Sequence, residues 1–188
     1  MSLESAIGGL LRSVRTGERR LIQNDPRLDA RRVIALSSPS FADGAMMPMR
    51  CAASGVGDNL SPALRWDGAP RNAVDLALIV QDADVPLPRP ATHLVAYSLD
   101  PGAGGVPEGA FNAGNGGAFH FGRGSFGRIG YQGPRPIAGH GPHRYVFQVF
   151  ALGKRLRFDS PPDLTALAAA MAGSVLARGQ LVGRYERP

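Results

Sequence analysis

The strongest constraint on this fold is a series of short runs with alternating side chains, separated by clusters of glycine, proline and asparagine. Residues 74–80 place valine or leucine at every second position, the period of a β-strand, and residues 93–99 and 144–152 have a similar character. The 188 residues include 25 glycines and 16 prolines, which favours a turn-rich fold over a helical bundle. The sequence therefore predicts a mainly β fold.

The first 32 residues have a different pattern. Apolar side chains recur there at the spacing of one helical face, at Ile7, Leu10, Leu11 and Val14. Because arginines lie nearby, residues 1–32 are predicted to form a basic amphipathic helical extension of a domain that spans residues 33–188. So short a helix buries little apolar area, so we expect it to dock on its own domain or on a second subunit rather than on a membrane.

Three later segments add to this outline. The glycine-rich stretch 100–125 predicts a surface excursion, and the G-x-G-x-x-G pattern at residues 122–127 predicts a flexible loop, because a dinucleotide site needs a helix after it. Ser160, followed by two prolines and Asp163, predicts the start of a helix with a hydroxyl cap. Residues 181–185 predict a return to strand.

Composition limits the cellular context. Hydrophobic residues make up 44% and charged residues 19%, as in an ordinary globular domain. The single cysteine, Cys51, cannot form an internal disulfide, and the first twenty residues contain no uninterrupted apolar run. We therefore expect a cytoplasmic protein without a signal peptide or spanning helix. The formal net charge is +6, but no basic face can be located in the sequence, so nucleic acid is not an expected partner.

The chemistry is concentrated at two places. The predicted strand at residues 74–80 leads into Asp82 and Asp84, and buried carboxylates need donors such as histidine, arginine or backbone N–H groups. A Gly/Pro-rich loop at residues 130–136 leads towards His143 and Tyr145, which share one strand face. Backbone donors beside two polar side chains make a reasonable wall for a small anion.

At this point a family resemblance becomes specific. Residues 61–66 resemble the "SPxLxW" segment of the phosphatidylethanolamine-binding protein family, residues 82–86 its "DPDAP" motif, and residues 130–145 its "GYxGPxPP…HRY" segment. Residues 173–177 and 181–185 are similar to the C-terminal pattern of its bacterial members. The resemblance covers about residues 40–187 and leaves the N-terminal extension outside it.

The resemblance implies a large central antiparallel sheet, a smaller second sheet and a few peripheral helices. It also implies a cavity for phosphate or a phospholipid head group, with no cofactor. The residues carried over as ligand-binding are Asp82, Pro86, His93, Gly133, Pro136, His143 and Tyr145, while Asp84 and Arg144 are carried over as structural residues near the site. A cis Val85–Pro86 bond, a homodimer and a regulated protein partner such as a kinase are further implications.

The polar quartet Asp82, His93, His143 and Tyr145 has a physical rationale of its own. A carboxylate beside an imidazole orients the ring and favours its charged form, a role that we expect Asp82 to play for His93. The imidazolium and the Tyr145 hydroxyl would then donate charge-assisted hydrogen bonds to an anion. The departures from the family pattern are expected to change the shape of the pocket, and they are Ala83, Val85, Thr92 and Ile137.

Three alternatives compete with a non-enzymatic binding protein. A hydrolase could use the Asp82–His93 pair with water or a serine, but no nucleophile is assigned among the candidates Ser61 and Ser125. His140 and His143 have a metal-compatible spacing, yet no acid lies next to them in the sequence, so no metal site is predicted. An oligomeric scaffold could use the N-terminal helix for self-association.

Overall fold

The computed structural model describes residues 3–115 and 117–187, which fold around two β-sheets. The α-helices are α1 (Leu3–Leu10) and α2 (Leu164–Met171). The strands are β1 (Arg32–Val33), β2 (Ala35–Ser37), β3 (Leu64–Asp67), β4 (Asp75–Asp82), β5 (Ala91–Leu99), β6 (Gly105–Val106), β7 (His120–Phe121), β8 (His143–Leu152) and β9 (Val175–Tyr185). Short 3₁₀ turns occupy several of the connections.

The larger sheet has six strands in the order β1-β9-β8-β4-β5-β7, and the smaller has the order β2-β3-β6. This arrangement confirms the predicted mainly β fold with a large and a small sheet. The larger sheet is mixed rather than purely antiparallel, because β1 pairs in parallel with β9 at its edge. The central strands β5, β4 and β8 are antiparallel neighbours, which agrees with the expected antiparallel centre of the sheet.

Strand β4 lies in the middle of the molecule, and all eight of its residues are buried. Its alternating side chains separate two apolar clusters. Leu76 and Leu78 pack with Trp66 of the smaller sheet, while Ala77 and Ile79 pack with residues of α2. The larger sheet is thus covered on both faces by apolar side chains.

The glycine-rich stretch 100–125 contributes more to the fold than we predicted. It supplies β6 to the smaller sheet and β7 to the larger one. It also buries Phe111, which is 1% exposed. The prediction of a surface excursion was wrong for these parts, because isolated aromatic residues between glycines gave no periodic signal.

The start of α2 also differs from the prediction. The N-cap is Asp163, whose Oδ1 accepts a hydrogen bond from the Ala166 N–H at 2.8 Å. Ser160 lies outside the helix, so the predicted hydroxyl cap was wrong. A carboxylate at this position satisfies a free backbone donor and faces the positive end of the helix dipole.

Helix α1 docks on its own domain, but not through its apolar side chains. It ends at Leu10, so it is shorter than predicted, and Leu3, Ile7 and Leu10 are exposed. Gly8 is the buried contact, and a Cβ at this position would lie 2.0 Å from the carbonyl oxygen of Ala138. Close approach through a glycine thus determines which face of α1 is covered. No helix within the described ranges is long and apolar enough to cross a membrane.

Candidate functional site

The polar residues of the predicted site meet at one end of the three central strands. Asp82 is the last residue of β4 and is paired in register with Tyr145 of β8. His143 lies two residues before Tyr145 and therefore points to the same face. His93 comes from β5 on the opposite side of β4, and its ring packs edge-on against Tyr145 with a centroid distance of 5.1 Å. The quartet therefore converges.

The pairing inside the quartet differs from the prediction. His143 Nδ1 lies 2.7 Å from Asp82 Oδ2, whereas His93 Nδ1 donates to the Gln132 carbonyl at 2.7 Å. The β4–β5 register explains the difference, because Val80 pairs with Leu94 and Gln81 with Thr92. His93 is thus the extra residue of a β-bulge, a feature that redirects side chains near binding sites. The prediction that Asp82 orients His93 was wrong.

Asp82 instead begins a chain of hydrogen bonds that runs through two imidazoles. His143 Nε2 lies 2.7 Å from His140 Nδ1, and His140 Nε2 lies 2.7 Å from the Leu11 carbonyl oxygen. A carbonyl only accepts, so His140 donates at Nε2 and, when neutral, accepts at Nδ1. With a neutral His140, His143 Nε2 donates to His140 Nδ1, and the chain links the Asp82 carboxyl group through both rings to the Leu11 carbonyl.

The electrostatics of His140 agree with this proton count. Burial lowers the pKa of His140, and the positive charge of His143 lowers it further. A neutral His140 agrees with its lowered pKa and accepts the hydrogen bond from His143. The two histidines that have a metal-compatible spacing are therefore hydrogen-bonded to each other in this structure.

Residues 11–20, called the strap from here on, lie along the segment that follows β4. The Gly17 N–H donates to the Ala83 carbonyl at 2.8 Å, and the Thr16 N–H to the Val85 carbonyl at 3.1 Å. Arg15 lies 3.3 Å from the Asp84 carboxylate. With the His140–Leu11 contact, the strap tethers the N-terminal segment across the acidic end of β4.

Asp84 is the anchor of this region. Its carboxylate accepts three hydrogen bonds from Arg144, one from the backbone N–H and two from the guanidinium, each at 2.8 Å. Burial raises the pKa of Asp84, but the bonds from Arg144 outweigh it and leave the pKa below its ordinary value. Arg144 also pairs with Glu18 of the strap. The Val85–Pro86 bond that follows is trans, so the expected cis bond was wrong.

The opening of the site lies beside His93 rather than in the middle of the quartet. Asp82, His143 and Tyr145 are 2%, 1% and 1% exposed, whereas His93 is half-buried and lines a cavity of about 280 Å³. Gly133 also lines it, while Pro136 is buried and Pro86 half-buried away from it. The structure thus brings two of the seven predicted ligand-binding residues to this cavity.

The cavity contains functional candidates that the sequence analysis missed. Two arginines, Arg128 and Arg135, line it together with the amide side chains of Asn59 and Gln132. Arg128 donates to Gln132 Oε1 at 3.0 Å. Arg135 lies within the Gly/Pro-rich loop and could have been found there, but Arg128 and Asn59 lie in segments without a strand or helix pattern.

Asn59 and Gly133 fix one wall of the cavity. The Gly133 N–H donates to Asn59 Oδ1 at 2.7 Å, and Asn59 Nδ2 donates to the Tyr131 carbonyl at 3.2 Å. A Cβ on Gly133 would lie 2.3 Å from the Cys51 carbonyl oxygen. The loop at residues 130–136 can therefore approach this backbone only with glycine at that position.

Two further side chains shape the electrostatics of the cavity. Burial lowers the pKa of His93, although the charge of Asp82 acts in the opposite direction. Burial, and then the negative charge of Asp82, raise the pKa of Tyr145 well above its ordinary value. The Tyr145 hydroxyl is buried without a hydrogen-bond partner in the described part of the chain. His93 at the cavity therefore has a neutral donor beside it.

Comparison with known proteins agrees with the fold and the motifs. Residues 37–186 match the family model for phosphatidylethanolamine-binding protein. A UPF0098 protein of Pyrococcus horikoshii is 37% identical over 153 residues, which cover 80% of this chain and 75% of that protein. A UPF0098 protein of Methanothermobacter thermautotrophicus is 36% identical, over 81% of this chain and 98% of its own.

Solved structures give the same result. A phosphatidylethanolamine-binding protein homologue from Chlamydia trachomatis has a TM-score of 0.74 at 30% identity, and covers 83% of this chain and 99% of its own. YbcL of Escherichia coli, described as a new member of the mammalian phosphatidylethanolamine-binding protein family, has a TM-score of 0.77 at 25% identity. The match covers 82% of this chain and 99% of YbcL. The chain therefore belongs to the phosphatidylethanolamine-binding protein family.

Proposed function

We propose that the cavity beside His93 binds a small anion, with a phosphate group or a phosphorylated head group as the ligand class. The observation that carries the proposal is the set of cationic and polar donors around one opening. Arg128 and Arg135 supply fixed positive charge, and His93 adds charge when it is protonated. Bonds from such groups to an anion are among the stronger hydrogen bonds in proteins.

The protonation of His93 links this binding to pH. Because Nδ1 donates to the Gln132 carbonyl, Nε2 is an acceptor in the neutral ring and a donor in the imidazolium. An anion in the cavity favours the imidazolium, and burial opposes it in the free protein. The contribution of His93 to anion affinity should therefore grow as the pH falls through the pKa of His93.

Phe126 adds an apolar surface at the same opening. It lines the cavity, is 86% exposed and has a left-handed backbone with φ of 62°. Such a conformation costs a non-glycine residue about 1–2 kcal/mol. An exposed aromatic ring beside an anion pocket suits a ligand that carries an organic group next to its phosphate, such as phosphoethanolamine.

The hydrolase alternative has less support. Ser61 Oγ accepts a bond from the Phe111 N–H, and Ser125 Oγ accepts one from the Thr92 N–H. Within the described residues, neither hydroxyl is hydrogen-bonded to an imidazole, and the second nitrogen of His143 is bonded to His140. We therefore favour binding. A protein partner, a homodimer and a cytoplasmic location stay predictions.

An NMR titration tests the proposal. Phosphate and phosphoethanolamine should each shift the amide signals of residues 91–93 and 125–135, and His93→Ala and Arg128→Ala should each weaken both titrations. His120→Ala is a matched control, because His120 is exposed and lies outside this cavity. Equal shifts with both ligands indicate that phosphate alone is recognised, and stronger binding of phosphoethanolamine indicates a head group. Shifts that His93→Ala leaves unchanged contradict the proposal.

A further inference from the structure

A second cavity adjoins the first, and three arginines contribute to its lining. It has a volume of about 710 Å³, and we call it the basic groove. Its lining includes Arg20, Arg89, Arg123 and Asp163, together with Thr92 and Ser125. Three guanidinium groups against one carboxylate leave the groove with an excess of positive charge. None of these residues is among the ligand-binding residues that we predicted from the sequence.

The arginines of the groove are largely unpaired. Within residues 3–115 and 117–187, Arg89 and Arg123 form no side-chain hydrogen bond or ion pair, and Arg20 bonds only to the Pro88 carbonyl. Asp163 uses Oδ1 to cap α2. The guanidinium donors thus remain available to an anionic ligand, and bidentate binding of phosphate is the geometry that arginine favours.

Two hydrogen-bonded residues are common to the linings of both cavities. Thr92 and Ser125 line both cavities, and the Thr92 N–H donates to Ser125 Oγ at 2.8 Å. Thr92 Oγ1 likewise accepts a bond from Gln81 Nε2. Since each hydroxyl oxygen already accepts, its own proton is left to donate, so these two residues also offer donors to an anion.

We propose that the basic groove is a second anion subsite, so that the ligand class of this protein carries more than one phosphate group. One group occupies the cavity beside His93, and the next lies against Arg89 and Arg123. This inference rests on the proposed function, because it treats the groove as an extension of that site.

Calorimetric titrations with phosphate, pyrophosphate and tripolyphosphate test the inference. The wild type should bind tripolyphosphate at least tenfold more tightly than phosphate. The double variant Arg89→Ala/Arg123→Ala should lose about tenfold or more in tripolyphosphate affinity, as expected for removed charge-assisted bonds, and keep its phosphate affinity within about twofold. The control Arg31→Ala/Arg71→Ala removes the same charge from exposed residues outside both cavities.

The outcomes separate the two proposals. Equal losses in the groove variant and the control would mean that binding follows net charge, which overturns the second subsite and leaves the His93 pocket in place. Equal affinity of the wild type for phosphate and tripolyphosphate also overturns the subsite. If His93→Ala leaves the affinity for phosphate unchanged, the proposed function itself fails, and the shared-ligand inference fails with it.

Discussion

The buried ion pair between Asp84 and Arg144 should contribute more to stability than the surface ion pair between Arg50 and Glu108. Asp84 is 1% exposed and accepts three bonds from Arg144, whose side chain is 35% exposed. Replacing Asp84 with Asn keeps the shape of the side chain but removes the charge. The Arg144 guanidinium then loses its buried counter-ion and keeps only the exposed carboxylate of Glu18.

The cost can be worked out from this geometry. Removing one partner of a buried pair destabilises a protein by about 3–5 kcal/mol. Because Arg144 is one-third exposed, water can resolvate part of the guanidinium, so we expect the lower end, about 3 kcal/mol. For a chain of this length each kcal/mol lowers the Tm by about 2–4 °C, so Asp84→Asn should lower it by about 6–12 °C.

Urea unfolding followed by circular dichroism measures this difference. Glu108→Gln is the matched control, because Glu108 pairs with Arg50 at 2.8 Å on the surface, with side chains 33% and 44% exposed. Such pairs contribute less than about 1 kcal/mol. A loss in Asp84→Asn no larger than that in Glu108→Gln would refute the assignment of Asp84 as the anchor of the site.

Three further predictions concern Asp84, the docking of α1 and the loop at residues 130–136. The pKa of Asp84 lies below its ordinary value of 3.8, so the stability contributed by the ionised carboxylate is fully present above pH 3.8. This stability is lost as the pH falls through the lower pKa of the folded state. Asp84→Asn should therefore reduce the dependence of the unfolding free energy on pH in the acid range. Gly8→Val should displace α1 and increase hydrogen exchange in the strap, because its Cβ would lie 2.0 Å from a carbonyl oxygen, whereas Gly9→Val should change neither since that Cβ meets nothing within 4 Å. Gly133→Ala should weaken phosphate binding and destabilise the fold by about 1–3 kcal/mol, while Gly117→Ala, in open space, should leave both unchanged.

Much of the central sheet could be predicted because its signals are local. The strands β4, β5 and β8 contain runs with a period of two, and the order of the motifs in the sequence indicated the family. The shared face of His143 and Tyr145 followed from the strand period, and the register of β4 with β8 then places Asp82 opposite Tyr145. These are the parts of the site in which periodicity and topology determine position.

The orientation of His93 could not be predicted in the same way. It depends on a bulge between β4 and β5, which exists only once the two strands are paired. The pairing of Asp82 with His143 instead of His93 is a consequence of that bulge. A sequence gives the residues of a strand but not the position at which its hydrogen-bond ladder slips.

The contacts of the strap could not be predicted from the sequence either. Residues 11–20 bind mainly to backbone carbonyls. Because every residue has a carbonyl, the side-chain pattern does not indicate which ones accept these bonds. Helix α1 docks through Gly8, whereas the pattern drew attention to its exposed apolar residues. The arginines of the two cavities come from separate loops, so only the folded chain brings them together.

The most direct test of the His93 anion pocket is the pKa of the His93 imidazole, measured by nitrogen-15 NMR with and without phosphate. In the free protein the pKa should lie below 6.5, because burial disfavours the charged ring. At saturating phosphate the pKa of His93 should rise, since a bound anion stabilises the imidazolium. A His93 pKa that stays the same at saturating phosphate would contradict the account.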